Sequence, residues 1–183
     1  EIDIEGYDMF AVNLSVNQTR GVVLYVMKDM KATQVELDVE FNEYVIVKIR
    51  ERNAELLVCN VYRSPNSSNE NDEKLFNLIT RICETEKYSQ KVILGDFNFP
   101  GINWTNWTTV DSSNKGLGLV NCLRKNLLYQ FIDQPTRARG SQTPHTLDLV
   151  IANDDCIDNI KYLSPIGKSD HSVLTVSCAW KHE

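Results

Sequence analysis

The stretch from Lys91 to Pro100 constrains the fold of this chain more than any other part of the sequence. Residues 92–94 are Val-Ile-Leu, an apolar run typical of a buried strand. Gly95 permits a sharp turn, and Asp96 and Asn98 follow two positions apart, so in an extended chain their side chains point to the same side. In α/β proteins ligands bind at this end of a strand, whereas Asp and Asn also occur in ordinary turns. The rest of the chain decides between a site and a turn.

Length and composition predict a single globular domain over residues 1–183. Apolar residues make up 42% of the chain and charged residues 24%, and 183 residues are enough to bury a sizeable core. No segment is long and apolar enough to cross a bilayer, and the acidic residues 1–5 do not resemble a signal peptide. We therefore expect no membrane partner and an intracellular location, nuclear or cytoplasmic.

Cysteine spacing and net charge argue against two other classes of protein. The five cysteines include no CxxC pair, which predicts reduced, buried thiols and argues against a zinc site. The formal net charge of −6 argues against a protein that binds nucleic acid through overall charge alone. Residues 115–139 are locally basic, which indicates either a basic patch or an ordinary solvated surface.

Apolar periodicity along the chain predicts hairpins alternating with helices. Strands are expected at 22–27, 44–50, 56–62, 91–95, 130–132, 147–152, 157–163 and 173–180. Helical spacing predicts one helix around residues 75–82, capped by Asn71 or Asp72, and a second over residues 117–128. Residues 1–20 are acidic and polar, with one apolar group from Tyr7 to Val12, and loops are expected at 63–72, 99–114 and 134–143. Hairpins mixed with helical crossovers predict mixed sheets covered by helices.

Polar residues lie at or beside four of the predicted strand ends. They are Tyr62 and Arg63; Asp96 and Asn98; Thr146 and Asp148; and Ser169, Asp170 and His171. Carboxylates bind hard divalent cations, a base can deprotonate a water, and His, Asn or Tyr donors can stabilise the charge that develops on a phosphoryl group. Each group alone could be a cap, a turn or part of the core. Together they indicate a site that cleaves phosphodiesters.

The four groups also occur in the order found in a known family. Tyr62-Arg63-Ser64-Pro65, Gly95-Asp96-Phe97-Asn98, the segment 145–150 and Ser169-Asp170-His171 resemble the motifs of the endonuclease/exonuclease/phosphatase family. The run from Gly95 to Trp104 is most similar to the endonuclease domain of LINE-type (non-LTR) retrotransposons. The resemblance covers nearly the whole chain from about Tyr7. It implies a DNase I-like, four-layer α/β sandwich of two mixed β-sheets flanked by helices.

The resemblance implies a catalytic role for five residues. Asp96 would orient or activate the attacking water, and Asn98 would contact the scissile phosphate. Tyr62 would donate a hydrogen bond to the same phosphate. His171 would stabilise the phosphorane, with Asp148 paired to it.

The resemblance implies a cofactor and partners in the same way. Asp170 would help to hold Mg²⁺, with Mn²⁺ as the alternative ion. Thr146 and Ser169 would support the site, and Arg63 would touch the DNA backbone. The protein would nick target DNA for retrotransposition, and a reverse transcriptase domain would lie in the same parent polyprotein.

The first residues depart from the family pattern. Members of the family begin with a strand that ends in Asn, followed by a helix, a strand and a metal-binding Glu. Nothing in residues 1–20 matches this order, and Asn13 and Asn17 lie in a stretch predicted to be loop. We therefore expect an N-terminally incomplete domain that lacks the first strands and binds magnesium weakly, because the main carboxylate ligand is missing.

Alternative functions remain open at this point. A catalytically impaired or domesticated relic would keep the fold and act as a binding module. A phosphoesterase of the same fold would act on inositol or lipid phosphates. Trp104 and Trp107 could stack on bases, although core packing is the simpler expectation for Trp104, and His145 could contact a base or be an ordinary loop residue.

Overall fold

The computed structural model describes residues 2–13, 20–51, 54–85, 88, 90–110 and 115–179. These residues include a 3₁₀ turn at Lys28–Met30 and two α-helices, α1 (Asn69–Glu84) and α2 (Lys115–Lys125). Their strands are β1 (Tyr7–Asn13), β2 (Gly21–Met27), β3 (Thr33–Gln34), β4 (Tyr44–Glu51), β5 (Ala54–Tyr62), β6 (Gln90–Asp96), β7 (Ile102–Asn103), β8 (Thr108–Thr109), β9 (Tyr129–Gln130), β10 (Asp148–Ala152), β11 (Ile157–Leu163) and β12 (Val173–Cys178). No helix in these ranges is both long enough and apolar enough to cross a membrane.

A six-stranded mixed sheet forms the centre of the fold, with the strand order β3-β4-β5-β6-β10-β9. β5 and β6 are parallel, and α1 provides the crossover that a parallel connection needs. The other neighbouring strands of this sheet are antiparallel. β6 is an inner strand in which Val92 and Ile93 are buried, which explains the unbroken apolar run before Gly95.

The two α-helices cover one face of the central sheet. Their buried apolar side chains recur at helical spacing; they are Leu75, Leu78, Ile79 and Ile82 on α1 and Leu119, Val120 and Leu123 on α2. These residues pack against Ile46, Leu57, Cys59, Val61 and Ile93 of the sheet. This cluster is the main core, and each large side chain buried in it contributes about 1.5–3 kcal/mol.

Two β-hairpins cover the opposite face of the sheet. β1 and β2 pair with each other and pack through Val22 and Val26 against β4. β11 and β12 form the second hairpin, and their residues Ile157 and Cys178 pack near Leu56 of β5. The predicted DNase I-like α/β sandwich is confirmed. The helices of the described residues lie on one side of it.

β1 forms at the apolar group from Tyr7 to Val12, where the sequence predicts no strand. Its residues pair one to one with those of β2, beginning with Tyr7 opposite Met27. Phe10 and Val12 pack against the cluster beneath the hairpin. Strand pairing and packing of this kind override the weak local signal of a polar segment. Asn17, which was predicted to lie in a loop, falls outside the described residues.

Both helices differ from prediction at their ends. α1 begins at Asn69, and its N-cap is Ser68, whose hydroxyl accepts a hydrogen bond from the backbone N–H of Asn71 at 3.1 Å. The prediction of a cap at Asn71 or Asp72 was therefore wrong. α2 ends earlier than expected because Leu127 has a φ of 54°, a left-handed conformation that an α-helix does not continue through.

Gly95 allows β6 to lie close against β5, and its replacement tests this contact. A Cβ at Gly95 would lie 1.9 Å from the carbonyl oxygen of Val61, and the φ of +133° is rarely adopted by other residues. We expect Gly95→Ala to lower the free energy of unfolding by roughly 3 kcal/mol or more in urea titrations. Gly140→Ala is the matched control, because Gly140 has a φ of +55° but open space at its Cβ position. The control should lose about 1 kcal/mol of free energy of unfolding. Equal losses in the two variants would contradict the close approach of Gly95 to β5.

Candidate active site

Three polar residues lie side by side where β5, β6 and β10 meet at one edge of the central sheet. In the parallel pair of β5 and β6, Tyr62 is opposite Asp96. In the antiparallel pair of β6 and β10, Asp148 is opposite Asp96. Directly opposed residues of neighbouring strands have adjacent side chains. The ends of β5 and β6 and the start of β10 therefore bring Tyr62, Asp96 and Asp148 together.

His171 joins this edge from the segment before β12. Its Nδ1 lies 2.9 Å from Oδ2 of Asp148. Its backbone N–H donates to Oγ of Ser169 at 3.1 Å, which holds the turn that presents the ring. The ligand atoms of Asp96, Asp148 and His171 all lie within 4.8 Å of one another. The structure thus gathers these three residues from three separate segments.

Burial and neighbouring charge change the acidity of Asp96. Burial, followed by the charge of Asp148, raises the pKa of the Asp96 carboxyl to about 6. His171 and the hydrogen bonds from Asn98 act in the opposite direction. A carboxylate whose pKa lies this close to neutrality can accept a proton from a water molecule more readily than an ordinary Asp.

The backbone turns directly after Asp96 and holds Asn98 beside it. The N–H of Asn98 donates to Oδ1 of Asp96 at 3.1 Å, and Nδ2 of Asn98 donates to the carbonyl oxygen of Arg63 at 2.9 Å. Asn98 has a φ of 51°, a left-handed conformation that Asn adopts more readily than most residues. The turn therefore fixes the Asn98 amide next to the Asp96 carboxylate.

Arg63 is buried, and this corrects the expectation that it touches the DNA backbone. Its side chain is 2% exposed. Nε and Nη2 donate to the two carboxylate oxygens of Asp72 at 2.6 and 2.9 Å, and Nη1 donates to the carbonyl oxygen of Asn98 at 2.9 Å. A guanidinium enclosed in this way is not available to a DNA phosphate, so Arg63 contributes to the site from inside the protein.

Asp170 pairs with Arg137 and not with the three clustered residues. Nε and Nη2 of Arg137 each lie 2.9 Å from Oδ2 of Asp170. Burial by itself would raise the pKa of Asp170, but the hydrogen bonds and charge of Arg137 outweigh it and hold that pKa below its ordinary value. Within the described part of the chain Asp170 is not in the group of convergent ligand atoms, so its role as a metal ligand stays a prediction.

Thr136, which the sequence analysis missed, holds the start of β10. Its side chain is fully buried, and its Oγ1 accepts hydrogen bonds from the N–H groups of Leu147 and Asp148 at 3.0 Å each. Its carbonyl oxygen accepts a hydrogen bond from the N–H of Ser172 at 2.7 Å. Thr136 therefore ties Asp148 to the segment that carries His171. It lies in a polar segment without periodicity, so no local signal marks it.

Thr146 also uses its hydroxyl within the protein. Its Oγ1 donates to the carbonyl oxygen of Gln134 at 3.1 Å. The hydroxyl oxygen of Ser169 instead accepts a hydrogen bond from the backbone N–H of His171. Both hydroxyls are therefore bonded to neighbouring backbone, and their predicted roles as supporting groups and in substrate contact stay predictions.

A cleft of about 580 Å³ adjoins the start of β10. Its lining includes Trp104, Phe131, His145 and Thr146. Trp104 also packs edge to face on Trp107, with ring centroids 5.4 Å apart, and both rings contact the main core. The two tryptophans lie between β7 and β8, which form a small hairpin where a loop was predicted. Core packing of Trp104 is thus observed, and one side of it remains open to the cleft.

The group formed by Asp96, Asp148 and His171 fits a divalent cation. Hard cations prefer carboxylate oxygens, and two carboxylates converge here. The raised pKa of Asp96 reflects burial and a neighbouring negative charge that a bound cation would offset. The donor set therefore suits a cation such as Mg²⁺ better than a soft metal, which would favour thiolates.

The pKa of Asp96 predicts how stability depends on pH. Because the pKa is raised from 3.8 to about 6 in the folded protein, folding favours the protonated carboxyl, and this stabilisation is lost as the pH rises through about 6. In metal-free buffer, the free energy of unfolding of Asp96→Asn minus that of the wild type should increase by roughly 2–3 kcal/mol from about pH 4 to about pH 8. Urea unfolding at each pH measures both values. Asp158→Asn, at an exposed strand position, should follow the wild type. Parallel pH profiles for Asp96→Asn and the wild type would contradict this assignment.

The hydrogen bonds of Thr136 predict a contrast between two substitutions. Thr136→Val keeps the shape of the side chain but leaves the N–H groups of Leu147 and Asp148 without an acceptor, which should cost roughly 2–4 kcal/mol of stability. Thr136→Ser keeps the hydroxyl and should lose less than half as much. Thermal and urea unfolding of both variants would test this contrast. A serine variant as unstable as the valine variant would show that the methyl group, and not the hydroxyl, matters at this position.

Solved structures share the fold of this chain at low sequence identity. The endonuclease domain of TRAS1, a telomere-specific non-LTR retrotransposon, is 20% identical with a TM-score of 0.73, over 96% of this chain and 81% of that one. The human Nocturnin catalytic domain is 13% identical with a TM-score of 0.60, over 96% and 73%. The inositol polyphosphate 5-phosphatase domain of SPsynaptojanin is 11% identical with a TM-score of 0.52, over 95% and 65%. Identities this low show a common fold and leave the substrate open.

The family is shown by a match in sequence. No curated protein matches the chain. Residues 56–175, well over half of the chain, match the family model described as endonuclease-reverse transcriptase. The matched range contains Asp96, Asp148 and His171, the three residues that the structure brings together. The chain therefore belongs to the endonuclease-reverse transcriptase family and has the endonuclease/exonuclease/phosphatase fold that its motifs predict.

Proposed function

We propose that this chain is a divalent-metal-dependent phosphodiesterase that nicks target DNA for retrotransposition. The observation that most supports the proposal is the His171–Asp148 pair beside Asp96, within a chain of an endonuclease family. A base, a paired imidazole and two convergent carboxylates are the groups that hydrolysis of a phosphodiester requires. The proposal extends to the parent protein, which we expect to carry a reverse transcriptase, and to an intracellular site of action, because the target DNA is chromosomal.

The residues of the site divide the reaction between them. Asp96 orients the attacking water and accepts its proton. Asp148 holds the Nδ1 side of the His171 ring at 2.9 Å, which fixes the orientation and the tautomer of the imidazole. In its protonated form the ring then presents Nε2–H to the substrate and stabilises the negative charge on the phosphorane by donating a hydrogen bond.

Two further residues contact the scissile phosphate in this proposal. Tyr62 lies opposite Asp96 at the end of β5. Its side chain therefore begins next to the carboxylate proposed to be catalytic, and its hydroxyl is the proposed donor to the phosphate. The side chain of Asn98 lies near the end of β5, where its Nδ2 donates to the carbonyl oxygen of Arg63. These two residues bind and orient the phosphate, while Asp96 acts on the water.

The carboxylates of Asp96 and Asp148 would hold Mg²⁺, or Mn²⁺ in its place, with Asp170 as a third, predicted ligand. When bound, the ion supplies positive charge that offsets the charge developing on the phosphoryl group. Magnesium prefers six oxygen ligands. Because only a few ligands converge here among the residues that the structure describes, we expect magnesium binding on the order of millimolar and assays that need correspondingly high magnesium.

Nicking of supercoiled plasmid tests the proposal directly. The wild type should convert supercoiled to open-circular DNA in about 10 mM Mg²⁺ and stop when EDTA is added. Asp96→Ala and His171→Ala should each reduce the rate on the order of 100-fold or more, because each removes a group that acts on the reacting atoms. Arg81→Ala, at an exposed ion pair on α1, should nick like the wild type.

The same preparation distinguishes the alternative functions. Release of inorganic phosphate from an inositol phosphate, without nicking of DNA, would show that the substrate is a phosphomonoester and not DNA. DNA binding without turnover at any magnesium concentration would favour a catalytically impaired binding module. Nicking that survives in both Asp96→Ala and His171→Ala would show that the activity does not come from this site.

A further inference from the structure

We propose that Arg63 is a positioning residue, which uses a buried ion pair with Asp72 to hold the turn at residues 96–98 in its catalytic conformation. The kinetic part of this inference rests on the proposed function, because the turn carries Asp96 and Asn98. The structural part does not depend on it.

Arg63 contacts the first and last residues of this turn and the aromatic ring that follows it. The backbone N–H of Arg63 donates to the carbonyl oxygen of Asp96 at 2.8 Å. Its carbonyl oxygen accepts a hydrogen bond from Nδ2 of Asn98, and its Nη1 donates to the carbonyl oxygen of Asn98, both at 2.9 Å. Its Cζ lies 3.9 Å from the ring centroid of Phe99. The main chain and the side chain of one residue thus enclose the turn from two sides.

Asp72 fixes the plane of the guanidinium from the first turn of α1. Both of its carboxylate oxygens accept hydrogen bonds from Arg63, at 2.6 and 2.9 Å. Its own backbone N–H donates to the carbonyl oxygen of Ser68 at 2.9 Å, so the helix holds it in place. A bidentate pair of this kind sets the orientation of Arg in a way that Lys cannot reproduce. The position of α1 is thereby transmitted to Asn98.

Stability alone does not account for this ion pair. The side chains of Arg63 and Asp72 are 2% and 6% exposed, and the cost of removing two charges from water often cancels their attraction. Apolar residues of similar volume frequently serve a protein core as well or better. The pair does, however, supply directional hydrogen bonds next to Asn98, whose φ of 51° lies in the left-handed region that Asn adopts less readily than Gly.

Loss of this support should reach the catalytic carboxylate through Asn98. The backbone N–H of Asn98 donates to Oδ1 of Asp96. If the turn relaxes, Asp96 loses this donor and the side-chain amide of Asn98 moves. Small displacements of positioned groups cost on the order of 10- to 100-fold in rate. Because Arg63 is buried and does not touch DNA, the affinity for DNA should change little. The expected signature is a lower kcat with an unchanged KM.

The decisive variant is the double substitution Arg63→Met/Asp72→Leu. Either single substitution leaves an unpaired buried charge and can unfold the protein, whereas the double substitution replaces the pair by apolar side chains. The control is Arg81→Met/Glu84→Leu, which removes an exposed ion pair of 2.9 Å from the same helix. Three measurements are made on each protein: the melting temperature, the hydrogen-exchange rate of the backbone N–H of Asn98 by NMR, and the kinetics of plasmid nicking (kcat and KM).

We expect the double variant to stay folded, to exchange the Asn98 amide at least 10-fold faster than the wild type, and to lose 10- to 100-fold in kcat with KM unchanged. The control should match the wild type in exchange and kinetics. A folded double variant with wild-type exchange at Asn98 would overturn the inference, as would wild-type kcat. If the wild type nicks no DNA, the proposed function fails, and the exchange rate still decides whether Arg63 holds the turn.

Discussion

Two carboxylates placed side by side at one sheet edge are the constraint on which the rest of this site depends. Asp96 and Asp148 are directly opposed in neighbouring antiparallel strands, and burial together with mutual repulsion raises the pKa of Asp96 to about 6. Such an arrangement opposes folding at neutral pH. The same three-residue group, Asp96, Asp148 and His171, has the convergent ligand atoms that a divalent cation would need. The surrounding structure must therefore hold the carboxylates where they would otherwise move apart.

Three structural features keep the carboxylates of Asp96 and Asp148 close together. The absence of a side chain at Gly95 allows β6 to lie against β5 just before Asp96. Thr136 binds the backbone at the start of β10 and so fixes Asp148. The ion pair of Arg63 and Asp72 encloses the turn after Asp96. Each of these contacts acts on the backbone next to a carboxylate, and none of them uses a carboxylate oxygen of Asp96 or Asp148.

Prediction from sequence succeeded where the signal was local. The runs in β2, β4, β5, β6 and β10 are apolar or alternate, and the structure has strands there, because burial of a strand requires such patterns. It predicted no strand at β1, which is stabilised by pairing with β2, and none at the hairpin of β7 and β8, whose strands are two residues each. The start of α1 was misplaced because Ser68 and Asn71 are both good capping residues.

The sequence alone determined the family, the sandwich architecture and the identity of Asp96, Asp148 and His171 as candidate site residues, because these depend on short motifs and on periodicity. Only the tertiary structure decided which residues meet. It turned Arg63 inward to Asp72, directed Asp170 to Arg137 and brought in Thr136 from a segment without a pattern. Hydrogen-bond partners far apart in sequence depend on how strands and loops pack together, and no local sequence signal records that packing.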